Sequence, residues 1–143
     1  MIFRPTAIPG VVVVEPERLA DERGFFARTF CAREFAAHGL AASLVQCSLS
    51  FNPRRGTLRG MHYQEAPHGE AKLVRCTRGR IHDVALDLRR DSPAFRRHVA
   101  VELSAENFRQ LWVPPDFAHG FCVLSSRAPV EYKCTALYDP TAD

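Results

Sequence analysis

From Leu44 to Phe51 the chain alternates: Val45, Cys47, Leu49 and Phe51 share one face of an extended strand, and Gln46, Ser48 and Ser50 share the other. Similar short runs recur over residues 57–64, 71–77, 80–88, 98–103, 108–113, 118–124 and 129–137, and earlier over 11–15 and 25–30. Turn-forming clusters fill the gaps, among them Asp21-Glu22-Arg23-Gly24, Asn52-Pro53-Arg54-Arg55-Gly56, Arg78-Gly79 and Arg89-Arg90-Asp91-Ser92-Pro93. The helix candidate is Ala32 to His38, with Gly39 placed to close it in the C′ position. Many short strands and one short peripheral helix predict an all-β barrel or sandwich, and within that class a double-sheet jelly roll. No repeat, low-complexity tract or linker is visible, so residues 1–143 are expected to form a single domain.

Strand parity then sorts the polar groups. His62 has the parity of Leu58, Gly60 and Gln64; Lys72 goes with Val74 and Cys76; Tyr132 goes with Val130, Cys134 and Tyr138. A polar residue on the face of apolar neighbours lines a cavity more readily than it meets bulk water. Arg59 is out of phase with His62, and both reach one pocket only if Gly60 marks a bulge or the strand twists. Taken singly, each residue has a plainer reading: a hydrogen-bonded core histidine, a snorkelling lysine, a satisfied core tyrosine, arginines on a solvated rim. Taken together, His62, Lys72, His119 and Tyr132 can converge in one cavity.

Such a cavity suits proton abstraction beside a carbonyl. The base needs a pKa near working pH, which is histidine's property. The enolate needs a fixed cation at its oxygen, a task for Lys72, and inversion needs an acid on the opposite face, such as Tyr132. Arginines near the mouth suit phosphate.

Composition narrows the partners. Nineteen Lys and Arg against 16 Asp and Glu give a net charge of +3, too balanced for a dedicated nucleic-acid surface. The apolar run Val11 to Val14 is too short to span a bilayer, and no secretory signal is expected, because Met1 to Pro5 lacks a long apolar stretch. Five cysteines without a CxxC pair fit reduced, mostly buried thiols and a cytoplasmic location. Cys76 and Cys134 sit on apolar faces, which argues against a thiolate nucleophile.

Metal is the chemical competitor, because small barrels of this type often use two His on one strand, a Glu and a later His. Here the strand reads His62-Tyr63-Gln64, and His68 and Gly69 stand where a Glu ligand is expected. His62 and His119 alone are too few ligands, and Lys72 would repel a cation. Neither a metal nor another cofactor is expected.

Six ordered runs complete the pattern: Asp21-x-Arg23-Gly24-Phe25-Phe26, Gly56 to Gln64, Lys72-Leu73-Val74-Arg75, Asp83 to Arg89, Leu103 to Asn107, and Phe117-Ala118-His119-Gly120-Phe121. Over almost the whole chain these resemble the dTDP-4-dehydrorhamnose 3,5-epimerases. The resemblance implies a cupin-type jelly roll (a double-stranded β-helix), a metal-free homodimer, and an isomerase of nucleotide-sugar metabolism in carbohydrate biosynthesis, such as the rhamnose pathway. It implies His62 as proton acceptor, Tyr132 as proton donor, Lys72 at the sugar keto group with His119 nearby, and Asp83 orienting or charge-stabilising the histidine. It further places Arg23 and Arg59 at the diphosphate, Gln46 and Ser48 at the nucleoside end, Tyr138 stacked on the base, and Phe26 across the dimer interface.

The chain departs from that family pattern in three places. Arg28 stands where Glu is usual and Ser48 where Asn is usual, both at the nucleotide end. The turn Asn52-Pro53-Arg54-Arg55 is one residue longer. Relatives continue past the position of Asp143 with further strands and an acid that assists the catalytic histidine, a segment expected to be absent here. Two alternatives to the full 3,5-epimerase stand beside it: a sugar 3-epimerase or isomerase using another nucleotide, and a weakened barrel that only binds a nucleotide sugar.

Overall fold

The computed structural model describes residues 1–143. Its strands run in chain order as β1 (Ile2–Pro5), β2 (Val12–Glu15), β3 (Arg18–Asp21), β4 (Gly24–Ala27), β5 (Gln46–Asn52), β6 (Leu58–His62), β7 (Lys72–Cys76), β8 (Arg80–Asp87), β9 (His98–Ser104), β10 (Gln110–Val113), β11 (Phe117–Val123) and β12 (Ala128–Cys134). The helix α1 (Ala32–Ala37) lies between β4 and β5. Two open sheets pack face to face, one of six strands in the order β1-β2-β10-β7-β12-β5 and one of four in the order β6-β11-β8-β9, with the hairpin β3-β4 apart from both. This is the all-β, cupin-like jelly roll that the sequence predicts.

The core forms where the inward faces meet. Val74, Cys76, Leu111, Val113 and Val130 from the larger sheet pack against Ile81, Ala85, Leu103, Phe117, Phe121 and Val123 from the smaller one. In β8 the alternation is regular, with Ile81, Asp83, Ala85 and Asp87 buried between more exposed neighbours. A second, smaller cluster sits behind the larger sheet, where α1 places Phe35 against Trp112, Val14 and Leu73. The helix ends as its sequence predicts: Gly39 takes φ +71°, a backbone region that costs glycine little, and its N–H donates to the Ala36 carbonyl.

Strand β5 turns its alternation against simple expectation for burial. Val45, Leu49 and Phe51 are more than half exposed, while Gln46, Ser48 and Asn52 lie on the inward face beside β12. The polar side is inward because β5 borders the open end of the sandwich, where the cavity lies. Strands β1 and β3 have no counterpart in the sequence pattern, since Ile2–Pro5 and Arg18–Asp21 carry no clear alternation. Both form by pairing, β1 on β2 and β3 on β4, so register across the ladder decides them.

Candidate active site

The gap between the edges of the two sheets holds a cavity of about 210 Å³, lined by Arg59, His62, Glu70, Lys72, His119, Gly120, Phe121, Tyr132, Tyr138 and Asp143. Strand pairing explains most of that set. On the larger sheet Lys72 is in register with Cys134, and Val74 with Tyr132, so Lys72 and Tyr132 project from adjacent strands on the same inward face. On the smaller sheet β11 sends His119 and Phe121 inward, opposite His62 and Arg59 of β6.

That last pairing resolves the parity conflict around Arg59. His119 pairs with His62 and Phe121 with Arg59, so β6 spends one extra residue against β11 and carries a bulge. Gly60 makes it possible, with φ +116° and its Cα packed so closely on Gly120 that an added Cβ would lie 2.6 Å from the Gly120 Cα. A bulge re-aims side chains, and here it brings Arg59 and His62 to one wall.

Each polar group has a holder. Arg59 donates from Nε to Asn52 Oδ1 over 2.7 Å, and Asn52 is itself anchored to the Ala128 carbonyl. Lys72 Nζ is 3.0 Å from Glu70 Oε1. His119 lies edge-on to the Tyr132 ring, with centroids 6.1 Å apart and planes at 84°. Burial, then the negative charge of Asp83, push the Tyr132 phenol above its ordinary pKa. His62 stands at the mouth, its side chain 60% exposed and its Nδ1 3.9 Å from Asp143 Oδ1.

Asp83 meets a site histidine, and that histidine is His119 and not His62: His119 Nε2 lies 2.9 Å from Asp83 Oδ1. Sheet order is the reason, because β11 lies between β6 and β8 and separates the two side chains.

Other expected site residues lie outside the cavity. Arg23 is ion-paired with Asp21 in the turn of the β3-β4 hairpin, and Phe26 on the same hairpin lines a separate groove with Met1, Leu19 and Arg28. Gln46 accepts a hydrogen bond from the Tyr138 backbone N–H at 2.8 Å, fixing the segment that carries Tyr138 to the cavity rim. Ser48, level with Tyr132 on β5, lines a neighbouring groove with Arg75, Glu131 and Lys133. Sequence reasoning missed Glu70 and Asn52; a charged residue two positions before Lys72 and an asparagine ending a strand were the available signals.

Burial pushes the thiols of Cys76 and Cys134 up, to about 11 and about 12, so neither is poised as a nucleophile. No three or more His, Cys, Asp or Glu side chains are grouped so as to hold a metal ion. No helix is long and apolar enough to cross a membrane.

The jelly roll and this cavity define a cupin-type enzyme of the isomerase class. Residues 5–143 match the family profile described as dTDP-4-dehydrorhamnose 3,5-epimerase, and the chain belongs to that family. It is 49% identical over 134 residues to the dTDP-4-dehydrorhamnose 3,5-epimerase of Shigella flexneri, covering 93% of this chain and 74% of that protein. The crystal structure of the dTDP-4-dehydrorhamnose 3,5-epimerase from Elizabethkingia anophelis NUHP1 superposes with a TM-score of 0.96 at 41% identity, over 99% of this chain and 78% of that one. The dTDP-6-deoxy-D-glucose-3,5-epimerase of Legionella pneumophila, crystallised with dTDP-4-keto-L-rhamnose, gives a TM-score of 0.93 at 42% identity, over 99% of this chain and 74% of that one.

Proposed function

We propose that this protein inverts C3, C5 or both in a dTDP-linked 4-keto-6-deoxy sugar. The C4 carbonyl acidifies the C–H bonds on both sides, so one mechanism serves either carbon. His62 takes the proton from the carbon, Lys72 donates to the enolate oxygen at C4, and Tyr132 returns a proton to the opposite face. His119 borders the sugar, Arg59 holds the diphosphate, and Tyr138 stacks on the base with Gln46 and Ser48 at the nucleoside end. Asp83 acts through His119, fixing its ring. The carrying observation is that His62 and Tyr132 line one cavity with Lys72 between the sheets.

Arg23 and Phe26 fit this reading in a homodimer. Both sit on a hairpin that does not line its own cavity, and the exposed apolar side chains Leu19, Phe26, Leu49 and Phe51 favour burial against a second copy. In that assembly the hairpin of one protomer completes the site of the other. Light scattering at micromolar concentration is expected to give twice the chain mass.

The decisive experiment follows dTDP-4-keto-6-deoxyglucose in D2O by NMR. The protein is expected to place deuterium at C3 or C5, and His62→Ala to stop it. Tight binding with no exchange by the unmodified protein would overturn the epimerase reading in favour of a binding barrel.

A further inference from the structure

Glu70 is a buried carboxylate with no place in the scheme above. Only 8% exposed, it closes the connection between β6 and β7, and its Oε1 lies 3.0 Å from the Lys72 ammonium in the cavity wall. A carboxylate this sheltered costs several kcal/mol unless it is paired, so its position is a built feature and not a surface accident. The backbone between the two charges is clamped as well. Ala71 donates its N–H to Thr135 Oγ1 at 2.9 Å, and its carbonyl accepts from the Thr135 N–H at 3.1 Å. Lys72 is in turn laced between β10 and β12, opposite Val113 and Cys134.

Composition sharpens the point. Of 19 basic residues only Lys72 and Lys133 are lysines, so arginine serves nearly everywhere else. Where a guanidinium offers a rigid planar fork, lysine offers a compact ammonium on a flexible stem, with about 2 kcal/mol of rotamer freedom to be restrained. An ammonium has three donors, and one directed to Glu70 leaves two for the cavity. The pair is electrically neutral until an anionic oxygen forms beside it. A donor fixed beforehand needs no reorganisation when that charge appears.

We infer that Glu70 is a positioning residue for Lys72, holding its ammonium at the cavity wall as a preformed donor to the enolate oxygen of the substrate. The inference rests on the role given to Lys72 under the proposed function. The buried thiol of Cys134, in register with Lys72 and raised by burial and then by the charge of Glu70, remains neutral.

Two measurements test it. In the deuterium-exchange assay, Glu70→Ala is expected to lower kcat about tenfold or more with KM within about twofold. Glu70→Gln, which keeps an oxygen acceptor for the same N–H, is expected to recover most of that loss. Introduced into Lys72→Ala, Glu70→Ala is expected to add nothing, because the two changes remove one interaction. Full additivity, or a fall in kcat matched by a fall in the unfolding midpoint for both Glu70 variants, would overturn the inference.

The second measurement needs no activity. Reductive 13C-methylation labels only Lys72, Lys133 and the amino terminus. Lys72 is expected to react faster in Glu70→Ala than in the unmodified protein, with Lys133 unchanged. Equal Lys72 rates refute the positioning role even if exchange is observed. Absence of exchange by the unmodified protein refutes the epimerase reading and leaves the labelling rates to decide Glu70.

Discussion

His119 Nε2 and Asp83 Oδ1 lie 2.9 Å apart, with side chains 4% and 0% exposed. A carboxylate can only accept, so the shared proton resides on Nε2 and the imidazole is locked in one tautomer and one orientation against Tyr132. The second carboxylate oxygen, Oδ2, has no protein partner, so the aspartate is held by His119 alone. Asp83→Ala therefore strands a buried imidazole N–H and is expected to destabilise the fold by about 3 kcal/mol. Urea unfolding at constant m-value checks this; a loss below about 1 kcal/mol would show that the pair carries little.

In the proposed mechanism Tyr132 separates abstraction from inversion. With phenylalanine in its place the ring still packs on the core, but no proton reaches the second face of the carbon. Tyr132→Phe is expected to keep deuterium exchange at the carbon served by His62 while product with the inverted centre falls at least about a hundredfold. NMR of substrate and product pools reads both, and equal loss of exchange and inversion would remove Tyr132 from the donor role.

Gly60 sets the bulge that aims Arg59 and His62 together. An added Cβ would meet the Gly120 Cα at 2.6 Å and the His119 carbonyl at 2.8 Å, both backbone, at φ +116°. Gly60→Ala is expected to cost about 3 kcal/mol or more and to lower the thermal midpoint by several degrees. A midpoint unchanged within a degree would mean that the bulge tolerates a side chain.

Asp87 governs the acid limb of stability. Buried at the end of β8, it accepts from Arg89 Nη2 at 2.7 Å and Ser92 Oγ at 2.6 Å, and the Arg89 guanidinium chiefly holds its carboxyl down to about 2. The folded carboxyl thus stays ionised where the unfolded one has already taken up a proton. Its stabilisation, about 2 kcal/mol, is complete above about pH 4 and is lost as the pH falls towards 2. Asp87→Asn is expected to destabilise at neutral pH and to converge with the unmodified protein in acid. A stability difference independent of pH between 2 and 7 would contradict this.

The alternation in residues 71–77 and 129–137 was enough to put Lys72 on the face of Val74 and Cys76 and Tyr132 on the face of Val130, the inward faces of the structure. A side-chain period of two is a local property, so it survives in the linear chain. His119 entered the site because it recurs in a later strand run beside the other polar groups, whereas the base-stacking role of Tyr138 came only from motif resemblance. Arg59 was legible only as a conflict, because a bulge exists only against a partner strand.

What the chain alone determined, then, was an all-β sandwich with an imidazole, an ammonium and a phenol directed inward. Only the tertiary structure decided which partner each received: Asp83 to His119, Glu70 to Lys72, Asn52 to Arg59. It also set Arg23 and Phe26 apart from their own cavity. The physical reason is that neighbour identity depends on the order of strands across a sheet and on register between them, and both are fixed by contacts between residues far apart in sequence.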